Sequence, residues 1–186
     1  SERIGFANSK AGLLENAYYI LAPAPQVPAA KIAEFQGLVT SMGAIPLQVE
    51  SQKHDYVTAA VSHLPHIVAA ALVHLVQDHD DAQGLMKSIA AGGFKDITRI
   101  ASSSPVMWEQ ICMTNTANIS RLLQDYIDAL GVVQKELQEH DSASLYTFFD
   151  GARAYRDSFI DAGSGPIKKD YSIRLDIPDE AGSIAA

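Results

Sequence analysis

"AVSHLPHIVAAAL", residues 60–72, places Ser62, His63 and His66 in an otherwise apolar run and sets Pro65 between the two histidines. Over 51–76, Val57, Ala60, Val61, Leu64, Ile67, Val68, Ala71 and Leu72 cover far more than one narrow face of a helix. The stretch is therefore expected to be a helix, capped by Ser51 and buried on most sides. Pro65 removes the amide that would reach the Val61 carbonyl and crowds that carbonyl, so a kink that splays His63 from His66 is expected. On an α-helical wheel Ser62 and His66, four apart, share a face and can address one ligand together. His63 is turned from Ser62 by about 100°.

Working outward, the pattern downstream is helical only. "SSSPVMWEQI" (102–111) is a start signal, with Ser104 as cap and Pro105 at the first helical position. Ile111, Ile119, Leu122, Tyr126, Leu130, Val133 and Leu137 then recur at helical spacing, which predicts one helix to about residue 140. "HDSASLYTFFDGARAYRDSF" (140–159) reads as a last helix packing back on it. Upstream the pattern alternates. "NSKAGLLENA" (8–17) has helical spacing, "YYILAP" is a strand, "PAAKIAEFQGLVTSMG" is a helix from Pro28 to a Gly43 C-cap, and "AIPLQVE" is a second strand. One or two parallel strands do not make a stable sheet alone, so residues 1–50 read as the tail of a larger α/β domain. "AGSGPIKKD" (162–170) has linker composition, and Tyr171, Ile173, Leu175 and Ile177 alternate with polar residues as one strand.

Composition limits the partners. The 186 residues are 47% apolar, ample for a core, with a formal net charge of -8 and a pI near 5.1. No basic cluster exceeds Lys168 and Lys169, which argues against nucleic acid. No apolar run approaches the roughly 20 residues that span a bilayer, so no membrane partner is expected. Cys112 is the only cysteine and reads as a small buried apolar residue. No signal or transit pattern opens the chain, and a cytoplasmic location is expected. A His63/His66 metal pair lacks further ligands, so no metal is assigned.

"AAGGFKDITRIA" (90–101) carries the second set of candidates. Gly92 and Gly93 permit a tight turn or a close backbone approach. Asp96 and Arg99, three apart, share a helical turn among Phe94, Ile97, Ile100 and Ala101, so a partly buried guanidinium is expected. Such a group needs an anion, and its planar fork matches a carboxylate through two bonds, with Asp96 orienting it. Trp108, the only tryptophan, is left open between core packing and a pocket wall. For His66 a core role and a functional one are both open, as are a ligand contact and a back-bond to its own helix for Ser62.

"VSHLPH" followed by "GGFKDITRIASSSPVMW" and "MWEQICMTN" resembles the prephenate dehydrogenase family over about residues 1–159. The resemblance implies a mainly α fold: an all-helical dimerisation domain over 51–162, preceded over 1–50 by the tail of a Rossmann-like nucleotide domain. A linker over 163–169 leads to a truncated ACT-like regulatory strand over 170–186. It implies NAD- or NADP-dependent oxidative decarboxylation of prephenate, with arogenate as the alternative substrate, a homodimer, and tyrosine as a possible effector. Arg99 matches the arginine that holds a substrate carboxylate, with Asp96 beside it and Gly92 nearby. His66 and Ser62 match polar residues facing the substrate, Glu2 an acid near the entrance, and Trp108 a pocket residue. Neither G-x-G-x-x-G nor H-P-M-A-G occurs, and Lys95 stands where arginine is commoner. The resemblance thus puts the main catalytic histidine upstream of Ser1 and assigns no cofactor-binding residue. Two other readings stay open, a non-catalytic dimerisation or ligand-sensing module and a related reductase of similar helical architecture. The 186-residue chain alone is expected neither to hold NAD tightly nor to turn over; a steady-state assay of the purified chain checks this, and measurable turnover would refute it.

Overall fold

In the computed structural model, residues 5–10 and 12–160 are described. Strands β1 (Tyr18–Leu21) and β2 (Ile45–Gln48) pair in parallel, Tyr18 opposite Ile45 and Leu21 opposite Gln48. Helix α1 (Ala29–Ser41) makes the crossover that parallel strands require and packs on β2, with Val39 fully buried. Its C-terminus is closed by Gly43 at φ +79°, with Gly43 N–H donating to the Thr40 carbonyl (3.0 Å) and Ala44 N–H to the Val39 carbonyl (3.3 Å). Both bonds satisfy carbonyls that the helix leaves without a partner. The helix expected over 8–17 does not form. A 3-10 turn over Phe6–Asn8 is followed by turns in which Gly12 and Asn16 take positive φ, a conformation that ends a helix. Asn16 N–H then bonds the Gly43 carbonyl at 2.8 Å.

The remainder is helical: α2 (Ser51–Thr58), a π-helical segment (Ala59–His63) and α3 (Leu64–His79) run as one helix. Glu50, not Ser51, occupies the cap position, and neither supplies a side-chain cap bond. Then come α4 (Leu85–Ile89), α5 (Gly92–Thr98), a 3-10 turn (Arg99–Ser102), α6 (Pro105–Thr114), α7 (Thr116–Gln138) and α8 (Ser142–Ile160). Asp80 and Asp81 accept from the backbone N–H groups of Met86 (2.8 Å), Lys87 (3.1 Å) and Gln83 (2.9 Å), which secures the five-residue α4. Asp141 caps α8 by accepting from Ser144 N–H (3.1 Å) and Oγ–H (2.8 Å), bonds that hold its carboxyl below the usual range. α7 lies against α2, the π segment, α3, α6 and α8, while α5 and its 3-10 turn lie against α3.

Two expectations are corrected here. The single helix predicted from Ser104 to about residue 140 breaks at Asn115, whose backbone leaves helical values (φ -126°, ψ 31°). Thr114 and Thr116 bond back to the carbonyls of Gln110 and Cys112, and the Asn115 side chain is drawn across to α2, so tertiary bonding overrides the periodicity. The helix over Ser51–His79 is not buried on most sides. Ala59 and Ala69 are buried, but Val61 is 72% exposed and Leu75 56%. Its apolar face is wider than the neighbouring helices cover, and Ile127 and Leu130 of α7 are also uncovered. Contrary to the expectation that no apolar run is long enough, this helix is one that by length and composition could cross a membrane, a property that core helices share. The strand over 171–177, the linker and Glu2 lie outside the described residues.

Replacing Gly43 forces a Cβ into a positive-φ position, with Glu15 atoms 3.5–3.8 Å away. Gly43→Ala is therefore expected to lower unfolding free energy by about 1 kcal/mol in urea titrations, mainly through backbone strain rather than collision.

Candidate functional site

The site begins with Pro65. Lacking an N–H, it interrupts the helical ladder, and just upstream Leu64 N–H reaches the Ala59 carbonyl, five residues back. The helix widens over Ala59–His63, just before the proline. π turns of this kind are frequent at functional sites and relieve the crowding that the proline ring imposes. The widened turn does not splay the histidines as expected. His66 stacks on the Trp108 indole with ring centroids 3.7 Å apart and planes 25° apart, while His63 meets the same indole edge-on at 6.0 Å. Trp108 is delivered by the first turn of α6, where Ser104 accepts from Met107 N–H (3.5 Å).

The hydrogen bonds fix the chemistry of these rings. His66 Nδ1 donates to the Ser62 carbonyl at 2.9 Å, so the neutral ring keeps its lone pair on Nε2. That Nε2 is buried without a partner, and so is the Trp108 Nε1–H. A buried donor and a buried acceptor therefore stand on two stacked rings, each at a free-energy disadvantage until it is bonded. Both rings line a cavity of about 290 Å³ with Ile67, Ile100, Ser103 and Cys112. Burial first, then the neighbouring His66, lowers the His63 pKa from the ordinary 6.5, with Asp55 opposing and His54 adding to the shift.

The other predicted site residues are placed differently. Ser62 engages His66 through its carbonyl rather than its hydroxyl. Arg99, at the start of the 3-10 turn, is exposed rather than partly buried, because Ile97 beside it faces solvent (61% exposed). Among the described residues Arg99 makes no ion pair with Asp96, which is also exposed; the next two residues, Ile100 and Ala101, line the cavity. Gly92 opens α5 with no other part of the chain near it: a Cβ there would meet nothing within 4 Å, so no backbone approach demands a glycine. Cys112 is half-buried on the cavity wall. No cluster of three or more potential metal ligands occurs among the described residues.

His63 and Asn115 were missed by sequence reasoning. Asn115 Nδ2 lies 2.8 Å from the Asp55 carbonyl and 3.4 Å from His63 Nδ1. An α-helical wheel hides His63 because the wider turn shifts every residue before Pro65. Asn115 carried no signal beyond sitting in a motif-like "MTN".

The chain matches the model of a family described as "Prephenate dehydrogenase, dimerization domain" over residues 50–150. It is 36% identical over 185 residues to the prephenate dehydrogenase of Bacillus subtilis (strain 168), covering 100% of this chain and 50% of that protein. It is 28% identical over 171 residues to the cyclohexadienyl dehydrogenase of Zymomonas mobilis subsp. mobilis (strain ATCC 31821 / ZM4 / CP4), covering 91% of the chain and 54% of that protein. The prephenate dehydrogenase of Aquifex aeolicus, solved with hydroxyphenyl propionate and NAD+, superposes with a TM-score of 0.80 at 27% identity, over 86% of this chain and 56% of that one. The chain thus spans about half the length of the relatives it matches.

A lowered His63 pKa means that the unfolded chain takes up a proton before the folded one as pH falls. The His63 contribution is therefore fully present above about 6.5 and is lost as pH falls from 6.5 through the lowered folded value. Urea unfolding at pH 7.5 and 5.5 is expected to show a drop in stability on acidification that is smaller in His63→Gln, and an equal drop in both would contradict the assignment.

Proposed function

Because the chain belongs to the prephenate dehydrogenase family through its dimerisation domain, we propose that it supplies the helical, substrate-holding half of an enzyme that oxidises and decarboxylates prephenate to 4-hydroxyphenylpyruvate. The observation that carries this reading is the stacked His66–Trp108 pair, whose rings line one cavity and whose Nε2 lone pair and Nε1–H are buried without a partner behind that wall. A ligand bearing carboxylate and hydroxyl groups offers an acceptor for the indole N–H and a donor for the imidazole, and apolar Ile67 and Ile100 suit its ring. Arg99 sits one residue before the cavity wall with its guanidinium exposed, and it is assigned a substrate carboxylate, with Asp96 one turn away. Ser62 acts through the carbonyl that fixes the His66 tautomer, so neutral His66 tunes the pocket as an acceptor. Gly92 leaves open space at the start of α5, and Glu2 is assigned the entrance on resemblance alone.

The nicotinamide cofactor does not fit the described residues. A dinucleotide pyrophosphate is held by a glycine-rich first strand-to-helix turn, and the one such connection among the described residues (22–28) contains Pro23, Pro25 and Pro28 and no glycine, as suits a later unit of the domain. No step through NAD or NADP is therefore derived from this chain. The cofactor is assigned to polypeptide corresponding to the other half of the relatives, and β1–α1–β2 is read as the end of a nucleotide domain. Homodimerisation through the helical domain belongs to the same reading, with exposed Val61, Ile127 and Leu130 as supporting surface. The cyclohexadienyl dehydrogenase relative favours a second reading in which arogenate is the substrate, since it is named for a wider substrate class.

Calorimetric titration of 4-hydroxyphenylpyruvate into the chain and into Arg99→Ala tests the assignment. Affinity is expected to fall by at least tenfold in the variant, about 1.5–3 kcal/mol for a lost charge-assisted bond. Equal affinities would remove the carboxylate from Arg99.

A further inference from the structure

Asn115 stands at the break between α6 and α7, with its side chain turned to the opposite helix. The orientation of its amide is settled by partners that have no choice. The Asp55 carbonyl, 2.8 Å away, can only accept, so Nδ2 faces it; Oδ1 in turn accepts from Asn118 Nδ2 at 2.8 Å. The remaining Nδ2 hydrogen has His63 Nδ1 at 3.4 Å, which must accept. Neutral His63 then carries its proton on Nε2, the opposite of His66, whose Nδ1 donates to the Ser62 carbonyl. Asp55 lies in the last α-helical turn before the π segment and His63 is the last residue of that segment, so one side chain spans the widened turn.

We propose that Asn115 is a positioning residue of the Trp108 cluster: by bonding both the Asp55 carbonyl and His63 Nδ1 it holds the π turn and sets His63 as the Nε2–H tautomer, so that the two histidines against one indole are of opposite tautomer. The role in substrate binding rests on the proposed function, whereas the tautomer does not. The titratable groups around His63 are His66 on α3 and Asp55 and His54 on α2. α7 brings only the neutral Asn115 to it, its Arg121 being engaged over the Tyr56 ring at 5.7 Å. Burial favours neutral His63, so its tautomer is the state that matters near neutral pH.

Two-bond ¹⁵N–¹H spectra of the histidine-labelled 186-residue chain read the tautomers directly. His63 is expected as Nε2–H, and His79, whose Nδ1 donates to the Leu75 carbonyl at 2.9 Å, serves as an internal Nδ1–H reference. Asn115→Asp replaces the donor by a carboxylate, so His63 is expected to switch to Nδ1–H and its titration midpoint to rise by about one pH unit or more. Asn115→Ala removes the donor without adding charge and is expected to leave a tautomer mixture; it stands in if the aspartate variant fails to fold. An Nδ1–H form of His63 in the parent, or a pure Nε2–H form retained in either variant, overturns the proposal. The fluorescence of Trp108, the only tryptophan, follows 4-hydroxyphenylpyruvate binding across pH in the same samples. The pH profile is expected to shift with the His63 midpoint in Asn115→Asp. A switched tautomer with an unmoved profile removes the positioning role, and a parent that binds no ligand removes the substrate reading while leaving the tautomer result intact.

Discussion

The missing amide of Pro65 is the constraint from which the rest of this site follows. A proline inside a helix removes one donor and crowds the carbonyl four residues back. Here the ladder absorbs both effects by lengthening the turn before the proline, so that Leu64 reaches Ala59. The helix continues to His79. The extra residue in the turn brings His63 round to the indole that His66 already stacks on. Without the wide turn, one imidazole rather than two would meet the Trp108 indole.

The chemistry of this wall is directional. Beside Ser103 and His74, two of its rings carry polar atoms removed from water, Nε2 of His66 and the N–H of Trp108, where a bond formed or left unformed weighs more than at the surface. Arg99 is the opposite case, a fixed charge in solvent. A guanidinium in that position gains from an anion once the bound ligand itself excludes water from the pair, because screening at high dielectric leaves a solvent-exposed pair little net gain. In the proposed function the two kinds of group divide the work of recognition, orientation falling to the buried rings and charge to the exposed arginine.

Much of this architecture is legible from residues alone. The β1–α1–β2 unit announces itself through Pro28, Gly43 and two short β-branched runs, and Ser104–Pro105 marks the start of α6. The periodicity misleads where a helix is not α-helical or where a side chain is pulled elsewhere. The 3.6-residue wheel turned His63 away because it takes no account of a π turn, and it ran α6 into α7 because nothing local shows that Asn115 bonds a carbonyl sixty residues earlier. Burial was misjudged for a related reason. Apolar width predicts that a face will be covered, not that the same chain covers it, and Val61 and Leu75 remain in solvent. Arg99 was placed among apolar neighbours by sequence, yet the 3-10 turn faces it outward.

Ile67 has a double position. It lines the cavity beside His66, and it also lines the apolar groove of about 430 Å³ between α3 and α7 that holds Leu72, Leu123 and Leu130. One side chain thus forms the partition between a polar pocket and a greasy trough. In close-packed protein a partition transmits displacement rather than absorbing it. A change of side chain at Ile67 therefore reshapes the lining of both spaces at once, and neither can be altered there alone.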